Sequence, residues 1–327
     1  MFQSTITPEG TPPTTPAAFR QHMLVETGRN YANFRKTLTP RYGRVIADIA
    51  LGYAALGGWL VLIGQAHGLV AGVAAASVGA VGVGFLIAYL QLFIHEGAHY
   101  NLAASKQRND WMADWLICWH VGTAISAYRA THSEHHRYLG DARDTEVSYL
   151  NALTPRFLIE MLTGLHALRV FRARTTAAPP ASASPTAAPA SKSRLPLLRG
   201  LAIHALLIGA MLALGAWPAA LAWVAGIAIP YPLFATLRPM LEHRPTVGMV
   251  DDGASVTRLF DDGAFARIFG GAGFNRHFLH HLEPQISYTR LGELEAHLAK
   301  TSMGPVLDAH RATYLGTFVQ LIREGQA

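Results

Sequence analysis

The chain has 327 residues, half of them hydrophobic and only 15% charged. Soluble domains carry about 25% charged residues, so a membrane protein is expected rather than a pair of soluble domains. A single cysteine, Cys118, excludes an internal disulfide and any thiolate-rich metal site, which leaves nitrogen and oxygen to hold any metal. The net charge of +6 comes from dispersed basic residues with no nucleic-acid motif beside them, which fits basic loops at a membrane surface and no nucleic-acid partner.

The first forty or so residues begin MFQSTITPEGTPPTTPAAF and lack a basic stretch followed by an apolar core. They are expected to form a cytoplasmic tail (1–44), largely disordered at its start, and not a signal peptide. Val45 to Gly64 then supplies 20 residues with only Asp48 charged, and Gly68 to Ile94 supplies 27 with no charge. A helix rises ~1.5 Å per residue and the hydrocarbon core is ~30 Å thick, so both can span it. Residues 65–67 leave room only for a hairpin.

In the mixed stretch 100–172, Trp111, Trp115 and Trp119 recur every four residues and Phe157–Val170 is amphipathic, a pattern of helices lying at the interface. Residues 173–193 collapse to Ala, Pro, Ser and Thr, the composition of a linker. Gly200–Trp217 and Pro218–Leu237 form a second apolar pair, in which Pro230 and Pro232 should interrupt the fourth helix because each lacks a backbone donor. The expected fold is all-α and integral to the membrane. About four transmembrane helices in two hairpins (45–64, 68–94, 200–217 and 218–237) lie within a domain spanning 45–291, a cytoplasmic helical cap holds a histidine-rich di-metal site, and a C-terminal segment covers 292–327.

Basic residues set the orientation. Six precede residue 45, a dozen lie in 95–199, and none lies in the turns at 65–67 and 215–218. By the positive-inside rule both termini and the long loop are cytoplasmic.

The same count places three histidine clusters on one face: His95 and His99 in HEGAH; His132, His135 and His136 in HSEHH; and His277, His280 and His281 in HFLHH. Residues three or four apart share a helical face, so His95 pairs with His99, and the first two histidines of each H-x-x-H-H should share a face with the third turned aside. Neutral imidazole is the commonest metal ligand, and eight histidines exceed one tetrahedral zinc and suit two metals. His243, at the end of the fourth span, emerges on the same side. His120 beside Trp119 reads as interfacial, and His22, His67, His166, His204, His297 and His310 stand outside the clusters. Imidazole suits zinc, copper, iron and nickel alike, and spacing does not separate lipid hydrolysis from oxidation. A metal transporter would want ionisable residues along the spans, which carry only Asp48 and His204.

HEGAH, HSEHH and NRHFLHHLEP, set on a four-helix membrane frame, resemble the membrane fatty acid desaturase superfamily of histidine-box desaturases and hydroxylases, over about Gly68 to Leu291. The resemblance implies that His95, His99, His132, His135, His136, His277, His280 and His281 bind two Fe ions, with His243 as the extra histidine some members place after the fourth span. It implies dioxygen as co-substrate, a lipid or acyl thioester as substrate, and an external electron donor of ferredoxin, rubredoxin or cytochrome b5 type. The product would be an acyl chain with a new double bond; a hydroxylase or ketolase on the same scaffold is the alternative. The bacterial inner membrane is the expected location. Asp144 and Asn275 are the expected supports of the ligand histidines, with Asp141, Glu146, Glu96 and Glu134 as further acidic candidates. Pro239 stands where some acyl-CoA members carry an asparagine that reaches iron through water, so a coordination shell identical to theirs is not expected.

Overall fold

The computed structural model describes residues 15–141, 143–176, 193–245 and 256–326. The chain opens with α1 (Pro16–Thr27) and α2 (Arg29–Thr37), then enters a hairpin of α3 (Tyr42–Gly64) and α4 (Leu69–Ala98). A cap segment follows: α5 (Lys106–Met112), a π turn at Ala113–Ile117, a 3-10 turn at Cys118–Val121 and α6 (Ile125–Tyr138). Then come α7 (Pro155–Leu162), α8 (Leu165–Thr176), α9 (Leu195–Ala213), α10 (Trp217–Ala228) and α11 (Pro230–His243). The C-terminal region holds α12 (Ala264–Phe269), α13 (His277–Leu282), α14 (Tyr288–Leu298), α15 (Gly304–Ala309) and α16 (Tyr314–Glu324). Two short strands, β1 (Leu259–Phe260) and β2 (Arg311–Ala312), pair in parallel and tie the segment before α12 to the C-terminal helices.

Four stretches among the described residues are long and apolar enough to cross a membrane: α3, α4, α9, and α10 with α11 taken together. Three of them overrun the apolar windows of the sequence, because a helix does not stop where the hydrocarbon does, while α9 starts earlier than its window and ends at Ala213, with Trp217 opening α10. At 30 residues, α4 is about 45 Å long, longer than the ~30 Å hydrocarbon core, and His95 sits in the last turn of this rigid rod. The fourth span is broken at Ile229 (φ −122°, ψ −71°), between α10 and α11. The following Pro230 has no N–H to donate and its ring disfavours helical geometry at the residue before it.

Helix α4 is the centre of the bundle and packs against α3, α10, α11 and α6. Its approach to α10 depends on small residues: a Cβ on Gly226 would lie 2.9 Å from the Ala80 carbonyl oxygen and 2.8 Å from Val83 Cγ1. Between helices in lipid, where hydrophobic driving force is absent, such close packing is the main source of association. The turn at Cys118–Val121 inserts against α9, where a Gly200 Cβ would meet the Trp119 carbonyl oxygen at 2.5 Å.

Two features differ from expectation. Residues 16–37 are helical, with Phe19, Met23 and Tyr31 buried against Leu279, Leu282, Leu294 and Leu298 of α13 and α14; the tail up to residue 14 lies outside the described residues. The apolar residues of α1 and α2 sit at helical spacing within polar sequence, a pattern masked by the Thr and Pro before it. Of the three tryptophans, Trp111 and Trp115 are 59% and 49% exposed, as an interfacial position requires, but Trp119 is buried within the bundle. Most of the low-complexity stretch, 177–192, also lies outside the described residues.

Candidate metal centre

Helix α4 carries His95 in its last turn with His99 as its cap residue, α6 carries His132, His135 and His136, α11 terminates on His243, and α13 carries His277, His280 and His281. The structure gathers all nine at the end of the bundle where α4 and α11 finish. They fall into two groups, His95–His99–His132–His136–His280 and His135–His243–His277–His281, and within each the ligand nitrogens lie within 4.8 Å of one another. The groups touch through His136 and His281, whose ring centroids are 4.5 Å apart.

The grouping corrects the face assignment read from spacing. In H-x-x-H-H the first and third histidines share a group, and the middle one turns to the other. Residues four apart are offset by about 40° around a helix, those three apart by about 60° and adjacent ones by about 100°. His132 and His136 therefore converge, as do His277 and His281, while His135 and His280 face the opposite group. The two boxes thus exchange one histidine each, and both α6 and α13 bridge the two groups.

The nitrogen separations are informative. Nε2 of His132 lies 3.0 Å from that of His99 and 3.1 Å from that of His136, which is 3.0 Å from His280 Nε2. In the second group His277 Nε2 is 2.9 Å from His243 Nε2 and 3.1 Å from His281 Nε2. Around a metal with bonds of about 2.1 Å to imidazole, adjacent ligands of an octahedron lie about 3.0 Å apart and those of a tetrahedron about 3.4 Å. Pairs this close could share one ion, and all the ligand nitrogens of a group lie within 4.8 Å of one another. Without a cation, neutral imidazoles held this way would point buried lone pairs at one another, a costly arrangement. His95 leaves both ring nitrogens without a hydrogen-bond partner, and His135 leaves its Nε2 so. The donor set and its geometry fit two metal ions.

Electrostatics favour the ligand form. Burial holds His99, His136, His277, His280 and His281 well below the usual imidazole range, helped by their histidine neighbours, so they are neutral donors. Burial acts the same way on His135, but Glu146 and Asp144 outweigh it and raise its protonation. Asp144 is buried and accepts from His135 Nδ1 at 2.9 and 3.0 Å, from the Tyr149 hydroxyl at 2.6 Å and from the Glu146 amide at 2.8 Å. The His135 proton is thereby fixed on Nδ1, leaving Nε2 free. Glu146 Oε1 lies 3.3 Å from His132 Nδ1; burial would raise this carboxyl, yet the facing histidines hold it below the usual range.

Asn275, expected to support a ligand, does not reach one. It sits in the 3-10 turn before α13, and its amide donates to Asp262 at 3.2 Å, because that turn faces the loop after β1. Asp141 pairs with Arg143 and Glu134 with Arg137 on the surface. Glu96 is buried and accepts from the Tyr288 amide at 3.3 Å. His120 is not interfacial: it is buried against Trp119, with ring centroids 3.9 Å apart, and stands apart from both groups. Two contributors escaped the sequence reading. Tyr149 carries no motif, but it follows Asp144 by five residues, and Phe274, stacked on His277 at 4.9 Å, directly precedes Asn275.

A mostly helical bundle with four candidate membrane spans and nine histidines gathered at one end is the frame of a histidine-box membrane protein. The chain belongs to the fatty acid desaturase family, whose sequence profile matches residues 71–315. No curated protein matches the chain.

Proposed function

We propose that the protein is a membrane-bound, dioxygen-dependent di-iron enzyme that introduces a double bond into an acyl chain. Family membership carries the reading as far as a desaturase- or hydroxylase-type membrane enzyme. The observation that takes it further is the gathering of nine histidines into two adjoining groups of five and four, two neighbouring imidazole-rich sites of a donor type that suits iron.

His95, His99, His132, His136 and His280 would hold one iron, and His135, His243, His277 and His281 the other. When bound, the pair would supply dioxygen activation and the oxidising power to break an unactivated C–H bond. The chain's own residues do the rest. Asp144 keeps the His135 proton on Nδ1 and Glu146 does the same for His132, which orients both rings. The Tyr128 ring lies parallel to His132 at 5.4 Å and Phe274 covers His277, so aromatic faces exclude water from the clusters. A lipid or an acyl thioester is the substrate. A separate carrier of ferredoxin, rubredoxin or cytochrome b5 type is the electron donor. The basic residues around 95–199 support a cytoplasmic site in a bacterial inner membrane.

Elemental analysis of purified protein, with lipid profiling of an expressing host, tests this. Iron in the protein and an acyl product lacking two hydrogens are expected. A product with one added oxygen would assign a hydroxylase instead, and zinc without iron would overturn the reading.

A further inference from the structure

Helix α12 is short, yet its sequence AFARIF turns two large apolar side chains outwards: Phe265 is 64% and Ile268 57% exposed, while Ala266 between them is buried. The adjoining α16 repeats the feature. Its inner face, Tyr314, Thr317 and Leu321, is buried against the protein. Leu315 and Val319 are exposed and Phe318 and Ile322 half-buried, and their spacing of i, i+3, i+4 and i+7 aligns the four along an outer stripe. Tyr314 joins the two helices, its ring 6.2 Å from Phe265 and 4.9 Å from Phe269. Contiguous exposed apolar surface of this kind marks an interaction site.

The position of α12 identifies what covers it. Ile268 and Phe269 border a narrow crevice of about 40 Å³ whose other wall includes Phe85 of α4 and Phe234 of α11, two rings packed edge to face at 5.4 Å. On helices that rise ~1.5 Å per residue, Phe85 lies about 15 Å short of His95 and Phe234 about 13 Å short of His243, inside the candidate spans. Val81, one turn before Phe85, is exposed, so lipid meets the bundle here. From α12 the chain climbs back along α4, where a Cβ on Gly271 would touch Tyr89 at 2.6 Å and Leu92 at 3.2 Å, before Phe274 stacks on His277. Helix α12 therefore stands beside the lipid-facing side of α4 and α11, at the depth of their apolar stretches.

We infer that α12 and the outer face of α16 are sunk into the bilayer leaflet on the histidine side, which makes the region after the fourth span a membrane-embedded element in its own right. The partner is the boundary between acyl chains and headgroups. The patch runs on from span surface that faces lipid, and Arg267 and Arg323, exposed on the same two helices, suit lipid phosphates.

Site-directed fluorescence on the full chain in phosphatidylcholine–phosphatidylglycerol vesicles tests this without metal or turnover. In a Cys118→Ala background, Phe265→Cys, Ile268→Cys, Leu315→Cys and Val319→Cys each carry an environment-sensitive fluorophore, with Val81→Cys as the lipid-exposed reference and Lys300→Cys as the water-exposed one. All four should be quenched by doxyl-labelled lipid, most strongly with the doxyl group near the carboxyl end of the acyl chain, because an interfacial helix sinks its apolar face about 5–10 Å. Aqueous iodide should quench them several-fold less than Lys300→Cys. Iodide quenching equal to that of Lys300→Cys on either helix would overturn the inference, and so would protection from both quenchers, which would mean that a second copy or another protein covers the patch. Unsubstituted protein gives the same reading if a variant fails to fold: a phospholipid with a diazirine on its acyl chain should label peptides 264–269 and 314–322, and their absence among the labelled peptides would equally overturn it.

Discussion

At the level of single residues, Asp144 does what no surface carboxylate could. It is buried and accepts from His135, Tyr149 and the Glu146 amide. Asp144→Asn keeps the shape but replaces an acceptor oxygen with an amide that cannot serve three donors, and His135 loses its fixed tautomer. Partners of this kind typically contribute 10–100-fold to metal affinity, so the variant should release metal to a chelator about that much more readily, as read by elemental analysis after dialysis. Retention equal to wild type would remove Asp144 from the supporting role. Asp144 could be picked out by its place after HSEHH; Tyr149 could not, because its hydroxyl meets Asp144 only once the loop between α6 and α7 has folded back.

Among elements, two contacts decide the geometry. Alanine exceeds glycine in helix propensity by about 1 kcal/mol, so propensity alone favours Gly226→Ala in α10. The new Cβ would press on the Ala80 carbonyl oxygen at 2.9 Å, and overpacking of this kind costs about 1–3 kcal/mol. The variant should therefore unfold at lower temperature in detergent, and a raised midpoint would show that α4 and α10 yield freely. The second contact holds the N-terminal helices to the third histidine box. Glu283, fully enclosed just past His281, receives Arg20 Nη2 at 2.6 Å, Arg35 Nε at 3.0 Å and the Tyr31 hydroxyl at 3.0 Å. Glu283→Gln removes the one charge that both arginines share at the buried end of this contact, so it should loosen α1 and α2 and speed trypsin cleavage at Arg20, Arg29 or Arg35. Unchanged cleavage would mean that the apolar contacts of Phe19 and Met23 suffice.

For the whole molecule, the histidines bring four helices from distant parts of the chain to one point, so metal and fold are coupled. In the metal-free protein most of these imidazoles are held below their usual pKa by burial. The unfolded chain takes up protons near pH 6.5, while the folded chain resists them, so stability falls as pH drops through that range. His135 acts in the opposite sense because its folded pKa is raised, but it is one residue against several. Metal-free protein should melt at lower temperature near pH 5.5 than near pH 8, and adding metal near pH 8 should raise the midpoint. A melting point that rises on acidification would contradict the neutral state assigned to the clusters.

Composition, the spacing of apolar windows and the three histidine boxes were enough to derive a four-span helical membrane fold and all nine gathered histidines, because bilayer thickness and helical pitch act locally on the chain. Pro230 likewise announced the break in the fourth span. The pairing of first with third histidine in each box, the exchange of His135 and His280 between groups, and the turn of Asn275 towards Asp262 depend on how α6 and α13 are rotated about their axes. That rotation is set by packing against α4 and α11, which no local pattern encodes. The same holds for the docking of α1 on α13: its surfaces lie far apart in sequence, and only tertiary structure brings them together.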